Sequence, residues 1–197
     1  MSQLARNVHR MENAELIGLA KNRFLDSATQ LKIAEHRYRR AKWYLAENPG
    51  LCIEARDHLW SLRGYTFKTE LLSAGHYAGQ PEYYRELYKE YSSAIRERSR
   101  WRMFRAFIGG NGWSRTGYGP LPGPLGTPPE ILEDIYEKDV LRPRAEGTGT
   151  DDWHVRGTLR GLLENPNLPT DIVVKVSASE ADEQLRNIAL RRLGTLK

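Results

Sequence analysis

Apolar positions along this chain return in short bursts at a fixed interval. Leu19-Ala20, Leu45-Ala46 and Leu71-Leu72 stand 26 residues apart, inside the strings "LAKNR", "LAENP" and "LLSAG". "LLENP" at 162–166 repeats the word, and Ala189-Leu190 fall 27 residues after Leu162-Leu163. A period near 26 is too short for a freestanding domain and suits two short helices with their turns. In the first helix of a unit, "RFLDSATQLKIAEH", Asp26 is placed to cap a helix whose apolar face is Ala28, Leu31 and Ala34. The second helix carries the Leu-Ala or Leu-Leu pair. Asn-Pro then stops it, because the residue before a proline avoids the helical region and Asn tolerates turns.

The later copies follow the same grammar with extra chain between them. "TPPEIL" at 127–132 aligns with "LPTDIV" at 168–173, a spacing of 41. The excess over one period falls on the polar, Gly- and Pro-bearing stretch "VLRPRAEGTGTDD", which is expected to be an irregular insertion. Thr127 is expected to cap the helix of "TPPEILEDIY", with Pro128 in its first turn, Glu130 completing a capping box, and Ile131, Leu132 and Ile135 facing inward.

A larger interruption separates the two halves of the array. Residues 79–108 are expected to form one long helix with the apolar stripe Tyr84, Leu87, Tyr88, Tyr91, Ala94 and Ile95, extended by Trp101, Phe104 and Ile108. Residues 109–126 hold seven glycines and three prolines in 18 positions and belong to a loop. The division is therefore 1–78 helical repeats, 79–126 inserted helix and loop, and 127–197 helical repeats, joined as one structural unit.

"LAENPGLCIEARDHL" and "LLENPNLPTDIVVKV" resemble the leucine-rich repeat variant family, over roughly residues 13–75 and 127–197. The resemblance implies an all-α fold, an α-solenoid of HEAT-like helix pairs, here interrupted by the long helix and its Gly/Pro-rich loop. It implies a broad binding face and no particular reaction. Some members bind an iron–sulfur cluster through N-terminal cysteines. Cys52 is the sole cysteine of this chain, so that property does not carry over.

Composition alters the picture in one respect. The net charge of +5 conceals an asymmetry: residues 1–118 hold 20 Lys and Arg against 12 Asp and Glu, and the remainder is mildly acidic. A basic first half calls for an anionic partner. Two stretches concentrate it. Arg96, Arg98, Arg100, Arg102 and Arg105 crowd around Trp101 in the long helix, with Arg98, Arg102 and Arg105 on one face. In "HRYRRAKWY" at 36–44, Arg37, Arg40 and Lys42 alternate with aromatics. Trp113, Arg115 and Tyr118 stand in the glycine-rich loop, where they suit partner contact.

The sequence offers little for catalysis or metal binding. One cysteine excludes an intramolecular disulfide and a cysteine-based metal cluster, and fits a cytoplasmic protein. No run is apolar enough to span a membrane. The five histidines show no metal-ligand spacing, and "ARDHLW" and "DDWHVR" form no dyad from adjacent helical positions. No cofactor or metal is expected. The expected function is a non-enzymatic adaptor, regulator or inhibitor, of the kind mobile elements and phages also carry, binding another protein with an acidic surface. Nucleic-acid binding through the basic, aromatic-studded stretches is the alternative. A DNA glycosylase on a HEAT-like scaffold ranks third, by fold analogy alone.

Overall fold

The computed structural model describes residues 2–92, 106–108, 126–147 and 152–194, with the backbone only for 152–154. Among these residues every regular element is helical. Short helices alternate in two rows. The first row contains α1 (Gln3–Asn7), α3 (Ser27–Glu35) and α5 (Ile53–Ser61); the second contains α2 (Asn13–Lys21), α4 (Arg39–Ala46) and α6 (Thr66–Ser73). Each helix packs on the next of its own row, α1 on α3 on α5 and α2 on α4 on α6, and α3 and α5 also pack on their partners α4 and α6. Then come α7 (Pro81–Ser92), α8 (Pro129–Tyr136), α9 (Arg142–Glu146), α10 (Asp152–Glu164), α11 (Thr170–Ser179) and α12 (Glu183–Arg192). α10 packs on α8 and α12, and α11 on α12.

The helices are short because local chemistry starts and stops each one. Asp26 caps α3 by accepting from Thr29 N–H at 3.0 Å, and a reciprocal Glu12–Glu15 capping box opens α2. Single helices of this length are marginal in water, so their stability comes from packing. Leu45, Leu71, Leu159 and Leu162 are fully buried within one continuous core running from Val8 to Ala189. Burying each such side chain contributes about 1.5–3 kcal/mol.

The repeated Asn performs more than punctuation. Asn22, Asn48 and Asn165 each accept, through Oδ1, the N–H two residues on, at 3.0, 2.8 and 2.9 Å. All three therefore occupy the same turn. Asn48 and Asn165 are also buried and reach back across a unit boundary. Asn48 Nδ2 donates to the carbonyls of Ala20 at 2.8 Å and Asn22 at 3.0 Å, and Asn165 Nδ2 to Phe107 at 3.0 Å. Two unlike residues make the same tie elsewhere. "LLSAG" lacks the Asn, and there His76 Nε2 lies 2.9 Å from the Ala46 carbonyl. A carbonyl only accepts, so this nitrogen carries the proton. In α12, Arg192 donates to the carbonyls of Leu163, Asn165, Pro166 and Leu168. The ties to Ala20, Ala46 and Leu163 thus reach carbonyls in the last turn of a helix, where the helix itself supplies no donor.

Four local expectations change. Thr127 is not the cap of α8: Pro128 is, and the buried Thr127 hydroxyl donates to the Phe107 carbonyl at 2.8 Å. The buried face of α3 is Thr29, Gln30, Ile33 and Ala34 rather than Ala28, Leu31 and Ala34. It is turned because Gln30 joins units, donating to the Leu25 and Gly50 carbonyls at 2.8 Å and accepting from Cys52 N–H at 2.7 Å. The stretch after α8 begins as helix, a π turn over Glu137–Leu141 leading into α9. Pro143 accounts for it: its ring excludes the carbonyl four residues back, and the helix widens so that Arg142 N–H bonds Glu137. Lastly, α7 is described only to Ser92, and residues 106–108 are again helical; residues 93–105 and 109–125 lie outside the described residues. Tyr84, Leu87 and Tyr91 are buried as the stripe requires. α7 packs on α6, and Trp60 of α5 donates to Glu86 of α7, 26 residues on, at 3.2 Å.

Candidate functional site

Of the residues singled out for binding, Arg37, Arg40 and Lys42 fall in the described structure, and they sit together. Arg37 is exposed in the turn between α3 and α4, Arg40 is exposed on the first turn of α4, and Lys42 is half-buried one turn deeper. Arg39 begins the same helix and reaches the next unit, its guanidinium 2.8 Å from the Thr66 hydroxyl and over the Phe67 ring. The first turn of α4 contains no acid. A helix N-terminus carries partial positive charge, so cations there cost about 0.3–1 kcal/mol each where an acid would stabilise.

These charges are also not neutralised. Among the described residues Arg37, Arg40 and Lys42 have no acidic partner. The Lys42 ammonium is held below its usual range, first by burial and then by Arg39. The His36 imidazole is likewise held below its usual range by burial, then by Arg37, Lys42 and His9. His36 and His9 were not among the expected binding residues, although "HRYRR" contained the signal for the first.

The aromatics of the same stretch face elsewhere. Tyr38, Trp43 and Tyr44 are partly buried and packed against the core. Lys21 Nζ lies 4.7 Å from the centre of the Tyr44 ring. Their rings are thus only partly open to solvent beside the basic residues.

Arg96, Arg98, Arg100, Trp101, Arg102, Arg105, Trp113, Arg115 and Tyr118 lie outside the described residues. Of the two His-bearing strings, "ARDHLW" places Asp57 against Arg56 at 3.0 Å rather than against His58. Its Trp60 sits edge-on to Tyr77 and Tyr83 at 4.9 and 4.8 Å. The side chains of Asp152, Trp153 and His154 lie outside the described residues. Among the described residues no group of three or more His, Cys, Asp or Glu is arranged to hold a metal ion, and no helix is long and apolar enough to cross a membrane.

These observations define a class: an all-α protein of paired short helices, with positive charge that has no acidic partner among the described residues at the start of the second helix of its second pair. Comparison with protein-family models, characterised proteins and solved structures finds no match to the chain.

Proposed function

We propose that this chain is a non-enzymatic α-solenoid of HEAT-like, leucine-rich-repeat-variant type that acts as an adaptor, regulator or inhibitor by binding an acidic protein. The observation that carries this reading is the placement of Arg37, Arg39 and Arg40 at the start of α4, with no acid in its first turn. Helix stability opposes that placement. An anionic partner would compensate it. Row-wise packing of α1–α3–α5 and α2–α4–α6 supports the solenoid, which leaves one face of stacked helices free to bind. A protein is favoured over nucleic acid at this place because Tyr38, Trp43 and Tyr44 are partly buried against the core, which leaves less ring face open for bases to stack on.

The test is retention on immobilised native chain, with and without nuclease, beside the Arg37→Glu/Arg40→Glu double variant. An acidic protein is expected to be held through nuclease treatment and released by the variant. Retention that nuclease abolishes, with a salt slope of about −0.9 per phosphate contacted, would assign the surface to nucleic acid instead.

A further inference from the structure

The start of the chain and the turn between α3 and α4 enclose a cleft of about 370 Å³. That is near the lower end of ligand-pocket volumes, room for one side chain and its immediate neighbours. Its apolar floor is Ala5 and Val8, both buried. His9, Lys32, His36 and Arg37 line the remainder with a single acid, Glu35.

The cleft is rich in hydrogen-bond donors and poor in acceptors. Glu35 is already engaged by Lys32 at 2.7 Å. His36 Nδ1 accepts from Tyr38 N–H at 3.1 Å, so the neutral ring carries its proton on Nε2. His9 Nε2 accepts from Arg10 Nε–H at 3.2 Å, which places that ring's proton on Nδ1. Each imidazole therefore keeps one N–H, and Arg37 keeps a whole guanidinium. Such a set matches a group that only accepts.

We propose that this cleft is a recognition site for a carboxylate side chain, Glu or Asp, presented by an acidic protein segment, with the aliphatic stem over Ala5 and Val8 and the carboxylate between His36 and Arg37. The proposal rests on the acidic-partner reading above and places it at one point. A protein carboxylate suits the site better than a phosphate strand, because the donors line one cleft over an apolar floor and no Phe, Tyr or Trp is among the described residues lining it.

The site also couples binding to protons. The groups around His36 are Arg37 in its own turn, His9 from the first unit with Arg10 bonded to it, Lys32 and Glu35 from α3, and Lys42 from α4. Burial first, and then Arg37, Lys42 and His9, hold the ring's proton affinity below its ordinary range. A bound carboxylate opposes these cations and favours the imidazolium; the proton taken up goes to Nδ1, which then gives up its bond from Tyr38 N–H.

The experiment is fluorescence anisotropy of a labelled ten-residue glutamate peptide with the full chain, alongside a labelled single-stranded DNA. The native chain is expected to bind the peptide, and to bind it several-fold more tightly at about pH 5.5 than at about pH 7.5, where glutamate stays ionised throughout. Arg37→Glu is expected to weaken binding about tenfold or more. His36→Gln keeps a donor and is expected to abolish the pH increment while leaving the affinity at the higher pH within about threefold. In the native chain, peptide is expected to raise the titration midpoint of the His36 ring proton followed by NMR. Peptide binding unaffected by Arg37→Glu would overturn the cleft assignment and leave the acidic-partner reading standing. DNA bound in place of peptide would overturn the carboxylate assignment, and absence of binding to either would overturn both.

Discussion

Replacing Asn48 and Asn22 by Ala, separately, tests whether the repeated Asn is a turn residue or a joint between units. The two share a sequence word and a local turn but differ in reach. Asn48 is fully buried and makes three hydrogen bonds, two to carbonyls of the preceding unit at 2.8 and 3.0 Å and one within its turn at 2.8 Å. Asn22 is exposed, and its Oδ1 accepts only within its own turn. A buried hydrogen bond contributes about 1 kcal/mol net, and leaving its partner unsatisfied costs about 1–3 kcal/mol. Asn48→Ala removes three and leaves the Ala20 carbonyl and Gly50 N–H without those partners, while the Asn22 carbonyl keeps Leu25 N–H at 3.2 Å, so it is expected to destabilise by about 2–4 kcal/mol. Asn22→Ala is expected to cost less than about 1 kcal/mol, since water replaces its partner. Urea unfolding followed by far-UV circular dichroism measures both. Equal costs, or an Asn48→Ala cost below about 1 kcal/mol, would refute the joint.

Three further perturbations probe neighbouring features. Burial holds the His76 ring neutral down to about pH 4. The unfolded ring takes its proton near 6.5, so its stabilisation is full above that pH and falls by on the order of 3 kcal/mol as pH drops from 6.5 to 4; His76→Gln is expected to flatten this slope in urea midpoints, and an unchanged slope would refute it. A Cβ on Gly50 would stand 2.0 Å from the Arg23 carbonyl oxygen, whereas one on Gly18 meets open space; Gly50→Ala is expected to cost about 1–3 kcal/mol or more and Gly18→Ala to gain about 0.5–1 kcal/mol, in the same assay. Arg192→Met keeps the aliphatic stem and removes the bonds to four carbonyls; faster amide exchange confined to α10 and α12 is expected, and protection equal to the native chain's would refute the tie.

What was legible in the sequence was whatever repeats in kind. Leu45 and Leu71 announce the second helices because core positions tolerate few residue types, and Asp26 announces α3 because few side chains cap. The correspondence of 127–132 with 168–173 holds in three dimensions: Pro128 and Pro169 each cap a helix. What was not legible was reach. Asn48, His76 and Arg192 make one kind of tie with an amide, an imidazole and a guanidinium, so no shared letter marks the position. Gln30 and Thr127 are polar residues that an apolar-face count discards, yet both are buried because their partners are backbone groups of distant segments. For the binding surface, charge was visible and orientation was not. Arg37, Arg40 and Lys42 stood out from composition, whereas the inward packing of Tyr38, Trp43 and Tyr44 depends on which side of α4 meets the core.

The ties from Asn48 to Ala20, His76 to Ala46, Asn165 to Phe107 and Arg192 to Leu163 all run from a later residue to an earlier one. During synthesis, the oxygen therefore leaves the ribosome before the group that seeks it. These four ties can close as soon as the later pair emerges, whereas buried Gln30 must wait for Gly50 and Cys52 of the following unit.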